Sequence, residues 1–180
     1  MSDGFSLSDA FGVDPPFFVR KVDRRGHWED ARQILANVFP VDEHGRISVY
    51  RVEAVRDLMR LAVALNANRV ATNPQGASLT EPLLLVAIRE GEFLGIQLRQ
   101  INGLTACLHA NRRHYDAIIP SDAKDAHARL VDSLLASGRE PYKLSKRKLK
   151  QAVTEAKENG CYAVVEDSAR CTCEENGLRS

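Results

Sequence analysis

The sequence predicts an α+β fold: a mainly antiparallel sheet, a meander with a hairpin at Asn102-Gly103, covered by about four helices. Three observations predict it. Apolar residues recur at helical spacing in some segments and alternate, or run continuously, in several shorter ones. The strand-like stretches follow one another across short turn signals, which favours antiparallel neighbours. Asn102-Gly103 stands between two such stretches, and Asn-Gly accepts positive φ at both central positions of a tight hairpin turn.

Residues 1–16 mix Gly, Ser and Asp with isolated Phe5, Leu7, Phe11 and Val13 and stop at Pro15-Pro16. They read as an N-terminal tail whose apolar residues dock on the chain's own core or on a partner. Phe17 to Arg24 reads as a first strand. Trp28, Ala31, Leu35, Val38 and Phe39 fall at helical spacing, and Pro40 ends that helix before a turn over Asp42 to Gly45.

Arg46 to Val52 alternates and reads as a strand. The clearest helix follows, with an apolar stripe of Val55, Leu58, Met59, Ala62 and Leu65, and with Arg56, Asp57 and Arg60 outside it. Asn66 to Pro82 reads as a long loop, a length that in a compact domain marks mobility or function. Leu83 to Ile88 is a continuous apolar run, suited to a strand buried on both faces. After Glu90-Gly91, the segment Phe93 to Ile101 is expected to pair across Asn102-Gly103 with Leu104 to His109, and Tyr115 to Ile119 adds a further strand. Ser121 is the expected N-cap of a helix containing Ala126, Leu130, Leu134 and Leu135 and closed by Gly138. Ser145 caps the last helix, where Leu144 and Leu149 fit a hydrophobic staple. Cys161 to Val165 is a short strand that returns to the sheet. The chain is therefore expected to hold one α+β domain over residues 17–165, followed by a flexible acidic tail over 166–180.

No apolar run approaches the roughly 18 to 20 residues that span a bilayer. The first residues lack the basic flank and apolar stretch of a signal peptide. A cytoplasmic protein with no membrane partner is the expectation, so Cys107, Cys161, Cys171 and Cys173 are read as thiols rather than disulfides. The net charge of +1 is unevenly spread: the two tails are acidic, and residues 17–165 hold 23 bases against 17 acids. A basic body suits an anionic partner.

The sequence has no P-loop, no G-x-S-x-G elbow, no H-E-x-x-H and no paired C-x-x-C. The densest reactive cluster is Cys107, His109 and His114. On a strand, Cys107 and His109 would share a face, as adjacent metal ligands must. With Cys171 and Cys173 they form a candidate zinc set, and Cys107 with either histidine forms a candidate nucleophile pair. Against both stands a simpler account: a core cysteine, a neighbouring histidine and an exposed loop histidine. No cofactor is expected.

The basic run is more informative. Lys143, Lys146, Arg147, Lys148 and Lys150 surround a helix start capped by Ser145, where cations oppose the macrodipole. Cationic side chains and free N–H groups there point the same way, the geometry that holds a phosphate or carboxylate. Tyr142 beside the run could stack on a base. Arg112 and Arg113, and the group Arg20, Lys21, Arg24 and Arg25, would join this surface only if the fold brings them together.

The expected function is a non-enzymatic binding or accessory protein, acting through surfaces. Its basic helix start over 143–150 would engage an anionic partner, a protein or complex. Direct nucleic-acid binding is one alternative, and a small enzyme built on Cys107 and a histidine is the other.

Overall fold

Alternation along the strands sorts the side chains into two cores on opposite faces of one sheet. The computed structural model describes residues 5–22, 41–72, 75, 78–103, 105, 107–123, 125–158, 162–165 and 168–171. The expected helix over Trp28 to Phe39, the turn residues 73–74 and 76–77, Cys161, and the tail beyond Cys171 lie outside them.

The described strands are β1 (Phe17–Val22), β2 (Arg46–Val52), β3 (Leu83–Ile88), β4 (Gln97–Gln100), β5 (His114–Ile118), β6 (Tyr142–Leu144), β7 (Tyr162–Val165) and β8 (Ser168–Cys171). The first six form an antiparallel sheet in the order β4-β5-β2-β1-β3-β6. The described helices are α1 (Leu7–Phe11), α2 (Val55–Thr72), α3 (Leu108–Asn111), α4 (Ala126–Ala136) and α5 (Lys146–Glu158). Helices α1, α2 and α5 cover one face, burying Phe11, Leu58, Leu61, Ala62, Leu149 and Ala152 against Phe17, Val19, Val52, Leu83 and Leu85. Helix α4 covers the other, with Leu130, Val131 and Leu134 against Phe18, Ile47, Val49, Val86 and Ile88. This is the expected α+β architecture. Among the described residues no helix is long and apolar enough to cross a membrane.

Several elements differ from expectation, each for a physical reason. No hairpin closes at Asn102-Gly103. Strand β4 pairs instead with β5, from Gln97↔Ile118 to Gln100↔Tyr115, and the connection between them contains the short helix α3. Gly103 is not among the glycines at positive φ. Its service is closeness, because a Cβ there would lie 3.0 Å from the His114 Cβ and 3.1 Å from Asn111 Oδ1. Asn111 staples this connection. Its Oδ1 accepts from the Thr105 amide at 2.8 Å and the Thr105 hydroxyl at 2.6 Å, and its Nδ2 donates to the Thr105 carbonyl at 2.9 Å.

Helix α2 runs on through Asn66 to Thr72 instead of yielding to a loop at Asn66. The fully buried Asn66 directs its side-chain NH2 to groups outside the helix, donating to the carbonyls of Leu79 at 3.0 Å and Glu81 at 2.8 Å. Ser121 lies in a turn, and α4 begins at Ala126 with Asp125 in the cap position. Ser145 does cap α5, accepting from the Lys148 amide at 3.4 Å, and Leu144 and Leu149 are both fully buried in the same core. Strand β7 does not return to the large sheet: it pairs with β8 in a separate two-stranded sheet, so Ser168–Cys171, read as tail, is strand. The N-terminal segment docks on its own core, with Leu7, Phe11 and Val13 buried.

Candidate functional site

The basic run begins on an edge strand and continues into a helix, and those two elements point its cations in different directions. Tyr142 and Leu144 on β6 face the core beneath α5, so alternation sends the exposed Lys143 to the opposite side of the sheet. On α5, Leu149, Ala152 and Ala156 are buried, which leaves Lys146, Arg147 and Lys150 exposed, Lys146 and Lys150 one turn apart on the same side. Lys148 turns inward. Its Nζ sits 3.7 Å from the centre of the Phe5 ring and donates to the Tyr142 hydroxyl at 2.5 Å. Tyr142 itself packs on Phe5 and Phe11, with ring centres 5.8 and 5.2 Å away, so its ring belongs to the fold instead of standing ready to stack on a base.

Arg112 and Arg113 do not join this surface. They precede β5, whose first residue His114 pairs with Tyr50, whereas β6 starts α5 at the other end of the ladder, beside Leu83. Strands β5 and β6 are four positions apart in the sheet, roughly 19 Å at the usual strand spacing. Arg20 and Lys21 lie between them on β1, while Arg24 and Arg25 lie outside the described residues.

Arg113 belongs to a charge cluster that sequence reasoning missed. The cluster forms at the start of α2, where Asp57 occupies the third helical position. Its Oδ2 accepts from the backbone N–H groups of Glu53 at 3.1 Å and Ala54 at 2.9 Å, closing the first turn. Its Oδ1 lies 3.1 Å from His109 Nε2 and 3.3 Å from Arg113 Nε, and Arg113 also reaches Glu53 at 3.3 Å. Asp57 lies outside the apolar stripe that the sequence shows, yet it is buried. The readable signal was an acid three residues into a helix, the position that reaches back to the cap.

Burial pushes the Asp57 carboxyl up, but the His109 contact, the Glu53 amide, Arg113 and the Ala54 amide outweigh it and hold the group below its ordinary value. Burial pushes His109 down, aided by Arg60 and Arg113 and opposed by Asp57. Arg113 Nε also lies 3.3 Å from His109 Nε2, and that nitrogen cannot both donate to Asp57 and accept from Arg113. The tautomer with the proton on Nε2 satisfies the carboxylate, which Arg113 then meets as an ion pair at 3.3 Å.

The cysteine and histidine candidates are placed differently from expectation. Cys107 is fully buried ahead of α3, so the extended geometry that would align it with His109 is absent. His109 is committed to Asp57. His114 is not in an exposed loop: it is a buried residue of β5 whose ring meets Tyr50 edge-on at 5.0 Å, with Nε2 3.8 Å from Asp116. Burial lowers its pKa. Cys171 lies on β8, and Cys173 lies outside the described residues. Among the described residues no three His, Cys, Asp or Glu side chains are grouped to hold a metal ion. No family model, curated protein or solved structure matches this chain.

Proposed function

We propose that this chain is a non-catalytic binding protein that engages an anionic protein partner on the first turns of α5, through Lys146, Arg147 and Lys150. One contrast supports this reading. Arg46, Arg51, Arg69, Arg113, Arg129 and Arg139 each pair with an acid of the chain itself. Among the described residues exposed Arg56, Arg99 and Arg112 form no ion pair but stand on separate elements, whereas the equally unpaired and exposed Lys146, Arg147 and Lys150 are gathered in the first turns of one helix. Cations gathered at a positive helix end are unfavourable to the isolated helix, and an anionic partner reverses the sign of that effect. Lys143 borders this surface from the other side of the edge strand. An acidic protein segment fits better than nucleic acid, because Tyr142 is engaged with Phe5, Phe11 and Lys148 and the two Arg112–Arg113 cations sit at the far end of the sheet.

The test is fluorescence anisotropy with a labelled glutamate-rich peptide and, separately, a single-stranded oligonucleotide, over a series of salt concentrations. Replacing Lys146, Arg147 and Lys150 together by Gln is expected to weaken peptide binding about tenfold and to flatten its salt dependence. Unchanged peptide binding would overturn the proposal. Binding of the oligonucleotide alone, lost in the variant, would replace the protein partner by nucleic acid.

A further inference from the structure

A second place in the fold has the makings of a ligand site, and it lies on the sheet, away from the exposed cations of α5. The ladder between β1 and β2 holds only three pairs and stops at Val19↔Tyr50. On either side the sheet continues: β1 pairs with β3 as far as Val22↔Leu84, and β2 pairs with β5 as far as Arg46↔Ile118. Two central strands therefore part while their outer neighbours stay joined. At the parting, Arg20 Nη1 donates to the Ser48 carbonyl at 2.9 Å, so a side chain replaces a ladder bond.

A pocket of about 280 Å³ opens at this fork. Its sheet side carries Arg20, Lys21, Ser48 and Tyr50 over Val19 and Leu85, and Leu61 and Leu65 of α2 form the facing wall. Two cations and two hydroxyl-bearing residues line it together with a pair of leucines. Such a lining suits a ligand with one charged end and one apolar body. Both cations make further interactions within the chain, which holds them in position. Burial raises the Tyr50 pKa, against the pull of Arg20, so the hydroxyl stays protonated and able to donate. Behind Tyr50 stands His114, whose buried Nδ1 has no hydrogen-bond partner among the described residues.

We propose that this pocket binds a small monocarboxylate with an apolar tail, the carboxylate held by Arg20 and Lys21 with the Tyr50 hydroxyl and the tail against Leu61 and Leu65. A carboxylate accepts charge-assisted bonds from both cations at once. A compact, fully hydrated anion would leave the leucine wall unused, and a neutral amide would bring no charge to meet the two cations.

The experiment uses the full chain, with octanoate, octanamide and inorganic phosphate as probes, followed by calorimetric titration and by ligand-induced shifts in melting temperature. Octanoate is expected to bind saturably, with octanamide and phosphate at least tenfold weaker. Lys21→Gln is expected to weaken octanoate at least fivefold while the melting temperature without ligand stays near that of the parent. Tyr50→Phe should weaken it severalfold, and the combined Gln replacement of Lys146, Arg147 and Lys150 should leave it unchanged. Equal affinity for octanamide would overturn the proposal, as would the absence of saturable octanoate binding. Octanoate binding that survives both pocket variants but falls with the α5 variant would place the anion on α5 and overturn it too.

Discussion

Gly103 and Gly91 separate two reasons for which a chain uses glycine. Gly103 has an ordinary φ, but a Cβ there would press on the His114 Cβ at 3.0 Å and the Asn111 Cα at 3.3 Å, both held by a strand and a buried hydrogen-bond network. Gly91 also has an ordinary φ, and nothing lies within 4 Å of its added Cβ. Gly103→Ala is therefore expected to lower stability by about 1–3 kcal/mol through overpacking. Gly91→Ala is expected to be neutral or to raise stability by about 0.4–1 kcal/mol, by restricting the unfolded chain. Urea denaturation of the two variants decides this. Equal midpoints would mean that the β4–β5 connection yields and that Gly103 is not held by contact. The dipeptide Asn-Gly advertises a tight turn in any sequence. Only the neighbours of Gly103 reveal the other reason, and those neighbours, Asn111 and His114, come from eight and eleven residues further on.

At the scale of the element, helix α5 shows how one run of like charge divides by direction. The pattern Lys-Arg-Lys over residues 146–148 reads as three equivalent cations at a positive helix end. In the fold, Lys146 and Arg147 face solvent, while Lys148 covers the Phe5 ring and donates to Tyr142. Their replacements should move stability in opposite senses. Lys146→Gln and Arg147→Gln are each expected to stabilise by about 0.3–1 kcal/mol, as repulsion with the helix dipole is removed. Lys148→Gln is expected to destabilise by about 0.5–2 kcal/mol, through loss of the cation–π contact. Thermal melts of the three single variants measure this, and a stabilising Lys148→Gln would sink the assignment. The Ser145 cap and the Leu144–Leu149 staple were legible because capping is local. The inward turn of Lys148 was not, because Phe5 lies 143 positions earlier in the chain.

For the molecule as a whole, the cluster at Asp57 links β2, α2, α3 and β5, and its protonation couples to global stability. Asp57 is held below its ordinary value of 3.8, so near that pH the folded chain binds fewer protons than the unfolded one. Its contribution is complete above 3.8 and is lost as pH falls through the lower folded value. His109 and His114 act in the same direction from higher pH. Both lie below the ordinary 6.5, so the folded chain resists protonation that the unfolded chain accepts, and stability drops as pH falls below 6.5. Glu92, drawn down by its pairing with Arg139 against the effect of burial, adds to the acid limb. Urea midpoints are thus expected to decline from neutral pH to about pH 3. Asp57→Asn should lower stability by about 1–3 kcal/mol near pH 7, with the deficit shrinking on the acid side of 3.8. A deficit independent of pH would show that the Asp57 charge is not what the cluster uses.

By itself the sequence determined the class of fold, the strands β1, β2 and β3 nearly to their ends, the Asp42–Gly45 turn and the start of α5. Each of these is encoded in a few adjacent residues, as alternation, a cap or a turn dipeptide. The tertiary structure decided which strand pairs with which. It placed β5 rather than residues 104–109 beside β4, kept β7 and β8 in a sheet of their own, carried α2 six residues past Asn66, and set Arg112 and Arg113 at the opposite end of the sheet from α5. It also decided the fate of each polar side chain. Asp57, His114 and Lys148 read as surface or loop groups from their neighbours in sequence and His109 as a strand residue beside Cys107, and all found partners in other elements. A side chain's partner depends on distances across the fold, and a local pattern carries no record of those distances.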